Sequence, residues 1–142
     1  MLAGTHSNPR RLVQGRNKAF LEIEGRPLVR HVVDALVEAR SVRRIYVVGP
    51  TGELEPILAD VPAVRCVPQQ GKFVRNGWAG VHARDAEEPG LGEEERRERP
   101  LLLISCDLPL ISGGSIDDFI ERCAAMDVDA GLGHAMFVGV AE

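Results

Sequence analysis

The chain has 142 residues, of which 44% are hydrophobic, and a formal net charge of −4. These values are typical of one globular domain with its own core, and the slight acidity disfavours general nucleic-acid binding. The longest apolar stretches are too short to cross a bilayer and no signal segment opens the chain, so we expect a cytoplasmic protein without membrane or nucleic-acid partners.

The first predicted element is a basic loop. Arg10, Arg11, Arg16 and Lys18 all precede Glu22, which is the first acidic residue of the chain. Glycine, asparagine and proline in the same stretch favour turns, and a cationic loop of this kind is suited to binding phosphate groups. The alternative is a solvated basic arm, which is common at protein termini.

The pattern from residue 27 to residue 68 alternates between helix and strand. A proline at the first turn opens a helix whose apolar stripe runs from Leu28 to Val37. Residues 45–48 read as a buried strand, residues 54–58 as a short helical turn, and residues 64–67 as a further strand.

The second half of the chain continues this alternation. Residues 72–84 have roughly helical apolar spacing, whereas residues 85–100 are so charged that we expect an exposed, mobile connection. Residues 101–104 are continuously apolar and predict a strand buried on both faces. Ser115, with Asp118 completing a capping box, is expected to begin the last helix, and residues 131–142 are expected to be irregular.

Asp107 is the single most informative residue, since it follows that buried strand directly. Alternating strands and helices predict a three-layer α/β/α sandwich with a mainly parallel, Rossmann-like sheet, and such sheets bind ligands at the carboxyl ends of their strands. A carboxylate at that edge can meet a divalent cation and a phosphate. The chain has neither a GxxxxGK[ST] loop nor a GxGxxG motif after a strand, which disfavours P-loop NTPases and dinucleotide oxidoreductases.

Three sequence blocks resemble the nucleotidyltransferases with the sugar-nucleotide pyrophosphorylase-like fold, especially the branch with molybdenum-cofactor guanylyltransferase-like proteins. Leu2-Ala3-Gly4 with the basic loop up to Lys18 is similar to the LAGG…R…K signature of that family. Residues 18–28 resemble its K-x-L-x-x-x-x-G-x-P-L block, and residues 106–109 resemble its C/G-D-x-P metal block.

The resemblance implies the nucleotide-diphospho-sugar transferase fold and a set of site residues. In the family the glycine-rich loop holds a nucleoside triphosphate, the lysine neutralises phosphate and the aspartate binds Mg²⁺. Lys18 and Asp107 become the catalytic candidates, with Asp107 as the metal ligand. The implied substrate-binding residues are Leu2, Ala3, Gly4, Arg10, Lys18, Gln70, Gly71 and Asn76.

Within that set, Gln70, Gly71 and Asn76 lie in the stretch that contacts base and ribose in such enzymes. An ordinary strand-to-helix turn would have the same composition, so a purely structural role is the alternative for each of them. The resemblance also indicates one nucleotidyltransferase-like NTP-binding domain over residues 1–142, incomplete at both ends and lacking the family's C-terminal acceptor-binding part.

Three functional hypotheses follow. The first is a Mg²⁺-dependent nucleotidyltransferase that moves a nucleoside monophosphate from an NTP to a phosphorylated or hydroxylated small-molecule acceptor and releases pyrophosphate. The second is a truncated or degenerate domain that binds nucleotide without catalysis. A flavodoxin-like or receiver-like regulatory domain also fits the order of elements, but it leaves the basic loop and the Lys18 block without a role. Neither the nucleobase, the acceptor nor the oligomeric state follows from the sequence.

Overall fold

The structure is a computed structural model that describes residues 1–4 and 17–126, apart from the side chains of residues 97 and 98. Residues 5–16, which make up most of the predicted basic loop and include Arg10, lie outside the described residues, as does the tail from residue 131. A short 3-10 helix spans Lys18–Phe20. The strands are β1 (Glu22–Ile23), β2 (Arg26–Pro27), β3 (Ile45–Gly49) and β4 (Val64–Pro68), and the helices are α1 (Leu28–Glu38), α2 (Thr51–Leu58), α3 (Phe73–Glu87), α4 (Glu93–Glu98) and α5 (Gly113–Ala125).

Four parallel chain segments form the main sheet, in the order β4, β3, residues 1–3 and residues 104–106. β3 and β4 pair along their whole length, and Leu2 bridges Val48 on one side and Ser105 on the other. The Ala3 N–H donates to the Val48 carbonyl at 2.8 Å, and the Leu2 N–H donates to the Ile104 carbonyl at 2.9 Å. The first residues of the chain are therefore the centre of the sheet, which is a parallel sheet as predicted. β1 and β2 form a separate antiparallel hairpin that leads into α1.

Both faces of this sheet are covered, which makes the molecule a three-layer α/β/α sandwich. On one face a large apolar cluster joins the sheet to the buried sides of α1, α2 and α5. On the other face Leu2, Val48 and Val67 pack against α3 through Ala79 and Ala83. Alternate residues of a strand point to opposite faces, so Leu2 lies under α3 while Met1 and Ala3 belong to the first cluster.

α5 is fastened to the end of α1 by a buried carboxylate. Asp117 is 5% exposed and accepts hydrogen bonds from the backbone N–H groups of Ser41 at 2.9 Å and Arg40 at 3.1 Å. These two bonds hold the pKa of Asp117 at about 2, below its ordinary value of 3.8. The carboxylate thus provides acceptors for two backbone donors that lie beyond the last residue of α1.

One prediction about strand burial was wrong. Residues 101–104 form no strand, and Leu101 and Leu103 are exposed whereas Ile104 is buried, because only one side of this segment faces a covered layer. The helix predicted over residues 72–84 is present as α3, but its apolar residues Val74 and Trp78 lie on the solvent side. The helix packs on the sheet through small residues instead, which the periodicity of large apolar residues does not detect.

Two further predictions about the second half need correction. Residues 85–100 are mostly exposed, as predicted, but they include the end of α3 and all of α4, with the Glu95 carboxylate accepting the Gly92 N–H at 2.9 Å. The N-cap of α5 is Ser112 rather than Ser115, since the Ser112 hydroxyl accepts the Ser115 N–H at 3.2 Å. The two glycines between these serines are the first residues of α5.

Candidate functional site

One group of predicted site residues meets where residues 1–4 leave the sheet. A Cβ atom on Gly4 would lie 2.7 Å from Nδ2 of Asn76 and 3.4 Å from Oε1 of Gln69, so any side chain at this position would force the Asn76 amide to move. Asn76 is 5% exposed, and its Oδ1 accepts the backbone N–H of Gln70 at 2.6 Å. The structure therefore brings Gly4, Gln70 and Asn76 together, although they lie far apart in the sequence.

The turn between β4 and α3 shapes this group. Gln69 continues the sheet by donating its N–H to the Gly49 carbonyl at 3.1 Å. Gly71 then adopts a φ of +91°, a conformation that side chains rarely allow, and α3 begins two residues later. The N-terminus of α3 consequently opens at the carboxyl edge of the sheet, with Asn76 one turn inside the helix.

Lys18 is positioned on the other side of residues 1–4 by its neighbour Asn17. The Asn17 amide donates from Nδ2 to the Ala3 carbonyl at 2.9 Å, and its Oδ1 accepts the Ala19 N–H at 3.2 Å. Asn17 thus caps the short 3-10 helix and ties it to the end of the central segment. Lys18 is exposed at that point.

Asp107 reaches the same edge from the neighbouring segment. The Cys106 N–H donates to the Leu2 carbonyl at 3.3 Å, and the chain leaves the sheet one residue later. Cys106 is buried whereas Asp107 is exposed, as predicted for a carboxylate that follows the last buried residue. The Asp107 carboxylate therefore lies outside the core, at the surface of this edge.

The buried thiol of Cys106 lies within the electrostatic reach of both Asp107 and Lys18. Burial raises the pKa of this thiol to about 11, the adjacent Asp107 carboxylate adds to the rise, and the Lys18 ammonium opposes it. Both charged groups therefore act on one sulfur atom. Because the thiol stays neutral near pH 7, it adds no negative charge to this edge of the sheet.

The predicted site residues do not all contribute in the same way. The backbone N–H and carbonyl groups of Leu2 are used in the sheet, and its side chain is buried under α3. Ala3 is 1% exposed, and its carbonyl accepts from Asn17. Both residues lie beneath the edge rather than on it, and their contact with a nucleotide stays a prediction. Arg10 lies outside the described residues.

The sequence did not identify Asn17 or Gln69 as site residues. Their contacts run to residues 3 and 4, so no local pattern could reveal them. Asparagine directly before a short helix was the one available signal for Asn17, since asparagine is a favoured N-cap. Nothing in the sequence indicates that the same side chain also holds the end of the central segment.

Taken together, the fold and this edge define an α/β domain with a glycine, amide groups, a lysine and an aspartate at the carboxyl edge of its sheet. This combination is typical of proteins that bind nucleotides. Residues 1–136 match the family model for the MobA-like NTP transferase domain. The chain belongs to this family, which confirms the resemblance and the fold, indicates nucleotidyl transfer as the general activity, and implies a nucleoside triphosphate as substrate. No curated protein matches the chain significantly.

A separate observation concerns membranes. Within residues 1–4 and 17–126, no helix has the length and apolar character that a bilayer-spanning segment needs.

Proposed function

We propose that the protein is a Mg²⁺-dependent nucleotidyltransferase that moves a nucleoside monophosphate from an NTP to a phosphorylated or hydroxylated small-molecule acceptor. The observation that carries this proposal is that Gly4, Lys18 and Asp107 are all placed at one edge of the sheet. Asn17, the neighbour of Lys18, bonds to the Ala3 carbonyl, and Cys106, the neighbour of Asp107, bonds to the Leu2 carbonyl. Family membership supplies the reaction class, and the arrangement of these residues supports the particular roles proposed for them.

The chemistry sets what each residue has to do. An acceptor oxygen bonds to the α-phosphorus, the bond from that phosphorus to the oxygen shared with the β-phosphate breaks, and pyrophosphate leaves. Negative charge grows on the leaving pyrophosphate. The Lys18 ammonium offsets that charge, and Gly4, which has no side chain, lets phosphates approach the backbone closely.

Gln70, Gly71 and Asn76 hold the nucleoside end of the substrate in this proposal. Asn76 is fixed by its bond to the Gln70 backbone, so its amide is oriented before a ligand arrives. A preset amide loses little conformational entropy on binding, and because Oδ1 is engaged by Gln70, the Nδ2 donor is the group of Asn76 that is left for the substrate. The acceptor and the preferred base are left to experiment.

Asp107 suits a hard divalent cation. Magnesium is usually bound through one or two carboxylates together with substrate phosphates and water. The Asp107 carboxylate is exposed and has no hydrogen bond or ion pair with any described residue. Across residues 1–4 and 17–126 no three acidic, histidine or cysteine side chains group together to hold a metal, so Asp107 would share the ion with phosphate oxygens. When bound, the ion supplies positive charge that offsets the charge of the phosphates.

The proposal is tested first by binding and then by turnover. ATP, GTP, CTP and UTP are each added with Mg²⁺ while the melting temperature is followed, since a ligand that binds only the folded state raises it. Pyrophosphate release is then measured with candidate phosphorylated and hydroxylated acceptors. Binding with pyrophosphate release is the expected result. Binding without release with every acceptor would favour the non-catalytic alternative, and no binding of any NTP would refute the proposal.

The Lys18→Ala variant tests the proposed role of a single residue in NTP binding. Loss of one ammonium against phosphate should weaken NTP binding by about 10-fold, which is ~1.4 kcal/mol. Arg43→Ala is the matched control, because Arg43 is also an exposed cation but precedes β3, at the opposite edge of the sheet. Equal NTP affinities in the two variants would contradict the role of Lys18.

A further inference from the structure

The exposed apolar residues of α3 lie on two different sides of the helix. Phe73 and Val74 are both 66% exposed and Trp78 is 58% exposed. At 3.6 residues per turn, Phe73 lies about 60° from Asn76 around the helix, whereas Val74 and Trp78 each lie about 160° from it. Phe73 alone of the three is on the side that faces the sheet.

That side of α3 is in contact with the sheet further along the helix. A Cβ atom on Gly80 would lie 3.4 Å from Cγ2 of Val48, and Ala83 packs in the cluster beneath α3. Asn76 is where the sheet ends, since its amide meets Gly4. Phe73 is one turn earlier, about 4.5 Å nearer the helix N-terminus, so it extends past the carboxyl edge of the sheet.

The direction of the ring follows from helix geometry. Helical side chains lean toward the N-terminus of their helix, and residues three apart have Cβ atoms about 5–6 Å from each other. From this geometry we expect the Phe73 side chain to lean toward the turn at Gln70 and Gly71. Phe73 is exposed, so its ring is accessible to a ligand at the end of α3 where Asn76 is buried.

We propose that the Phe73 ring is the surface on which the base of the bound nucleotide stacks. This inference rests on the proposed function and adds a binding residue that neither the sequence motifs nor the family match identifies. Every nucleobase has a π-face, so stacking adds affinity for all four nucleotides, while the amides of Gln70 and Asn76 are left to discriminate among them. A triphosphate without a base gains nothing from Phe73.

The test compares nucleotides with a base-free probe. Dissociation constants for ATP, GTP, CTP, UTP and inorganic tripolyphosphate, each with Mg²⁺, are measured by calorimetry for the wild-type chain and for Phe73→Ala. The variant should bind each NTP about 10-fold more weakly and tripolyphosphate equally well. Phe73→Trp should restore the affinity, and Phe73→Leu should not.

Val74→Ala and Trp78→Ala are the matched controls, because these residues are similarly exposed on the same helix but face away from Asn76. Unchanged NTP affinity in Phe73→Ala, or an equal loss for tripolyphosphate, would overturn the inference. So would a change in sedimentation coefficient at constant NTP affinity, which would make Phe73 a protein contact. A wild-type chain that binds no NTP would refute the proposed function itself, and the stacking role with it.

Discussion

Cys106 and Asp107 are neighbours in sequence, yet they lie in opposite environments. The thiol is 7% exposed within the core, and the carboxylate stands in solvent at the edge of the sheet. The last sheet hydrogen bond of this segment is made by the Cys106 backbone, so the chain is held firmly up to the residue before the acid. The Asp107 carboxylate is therefore held in a well-defined position. Because it stays in water, placing it there costs little desolvation free energy.

Asp107→Asn tests this residue directly. The amide has the shape of the carboxylate without its charge, so metal-dependent pyrophosphate release should fall by about 100-fold or more. The melting temperature should be unchanged, because no described residue bonds to the carboxylate. Release rates are measured over a Mg²⁺ titration. Asp118→Asn, an exposed acid on α5, is the control, and wild-type rates in Asp107→Asn would exclude a metal-binding role.

At the scale of elements, one buried carboxylate adds polar bonds to the apolar packing between α1 and α5. Asp117 accepts two backbone N–H groups just after α1, and removal of the charge leaves those donors with a weaker acceptor. Asp117→Asn should lower the midpoint of urea unfolding with an unchanged slope. Asp118→Asn should have little effect, since Asp118 pairs with Arg122 only at the exposed surface.

The same contact sets a pH dependence. The pKa of Asp117 is about 2 in the folded protein against an ordinary 3.8, so the folded state favours the ionised form. Its contribution to stability is complete above pH 4 and is lost as the pH falls from about 4 to about 2. Urea midpoints measured across this window should fall more steeply for the wild type than for Asp117→Asn. Parallel curves would contradict the assignment.

A helix or strand could be predicted where the apolar residues of its sequence pattern are also the residues that are buried. α1 has a clear apolar stripe and packs in the core as expected, except that Val37 at its end is 51% exposed. The spacing also predicted a helix where α3 lies, but it did not show which side packs on the sheet, because that contact uses Ala79, Gly80 and Ala83 and leaves no large apolar stripe. α4 was missed because a helix stabilised by its own cap and surface charges needs no apolar face.

For the molecule as a whole, stability depends on the cluster between the sheet and the α1 side. Leu54 in α2 is completely buried in it, so Leu54→Ala should cost about 2–5 kcal/mol of unfolding free energy through lost contacts and a cavity. Val37→Ala should change it by less than about 0.5 kcal/mol. Chemical denaturation measures both variants. Similar values for the two would show that this cluster does not dominate the stability.

The site could be predicted only in part, because it is assembled across the whole molecule. Motifs identified Gly4, Lys18 and Asp107 one by one, and the rule that ligands bind at strand ends predicted that they share an edge. What the sequence could not provide is the contact of Asn76 with Gly4 and that of Asn17 with Ala3. Both are long-range contacts whose partners are fixed by the packing of α3 and of the 3-10 helix.

The central position of residues 1–4 has a consequence for how the protein is made. Leu2 can take its place only after Val48 and Ser105 exist as neighbours, so the middle of the sheet closes only after residue 105 has been synthesised. Pairings between such distant residues form slowly because a long loop must be closed first. We therefore expect the nascent chain to gain affinity for nucleotide abruptly, once the segment around Ser105 leaves the ribosome, and not in gradual steps.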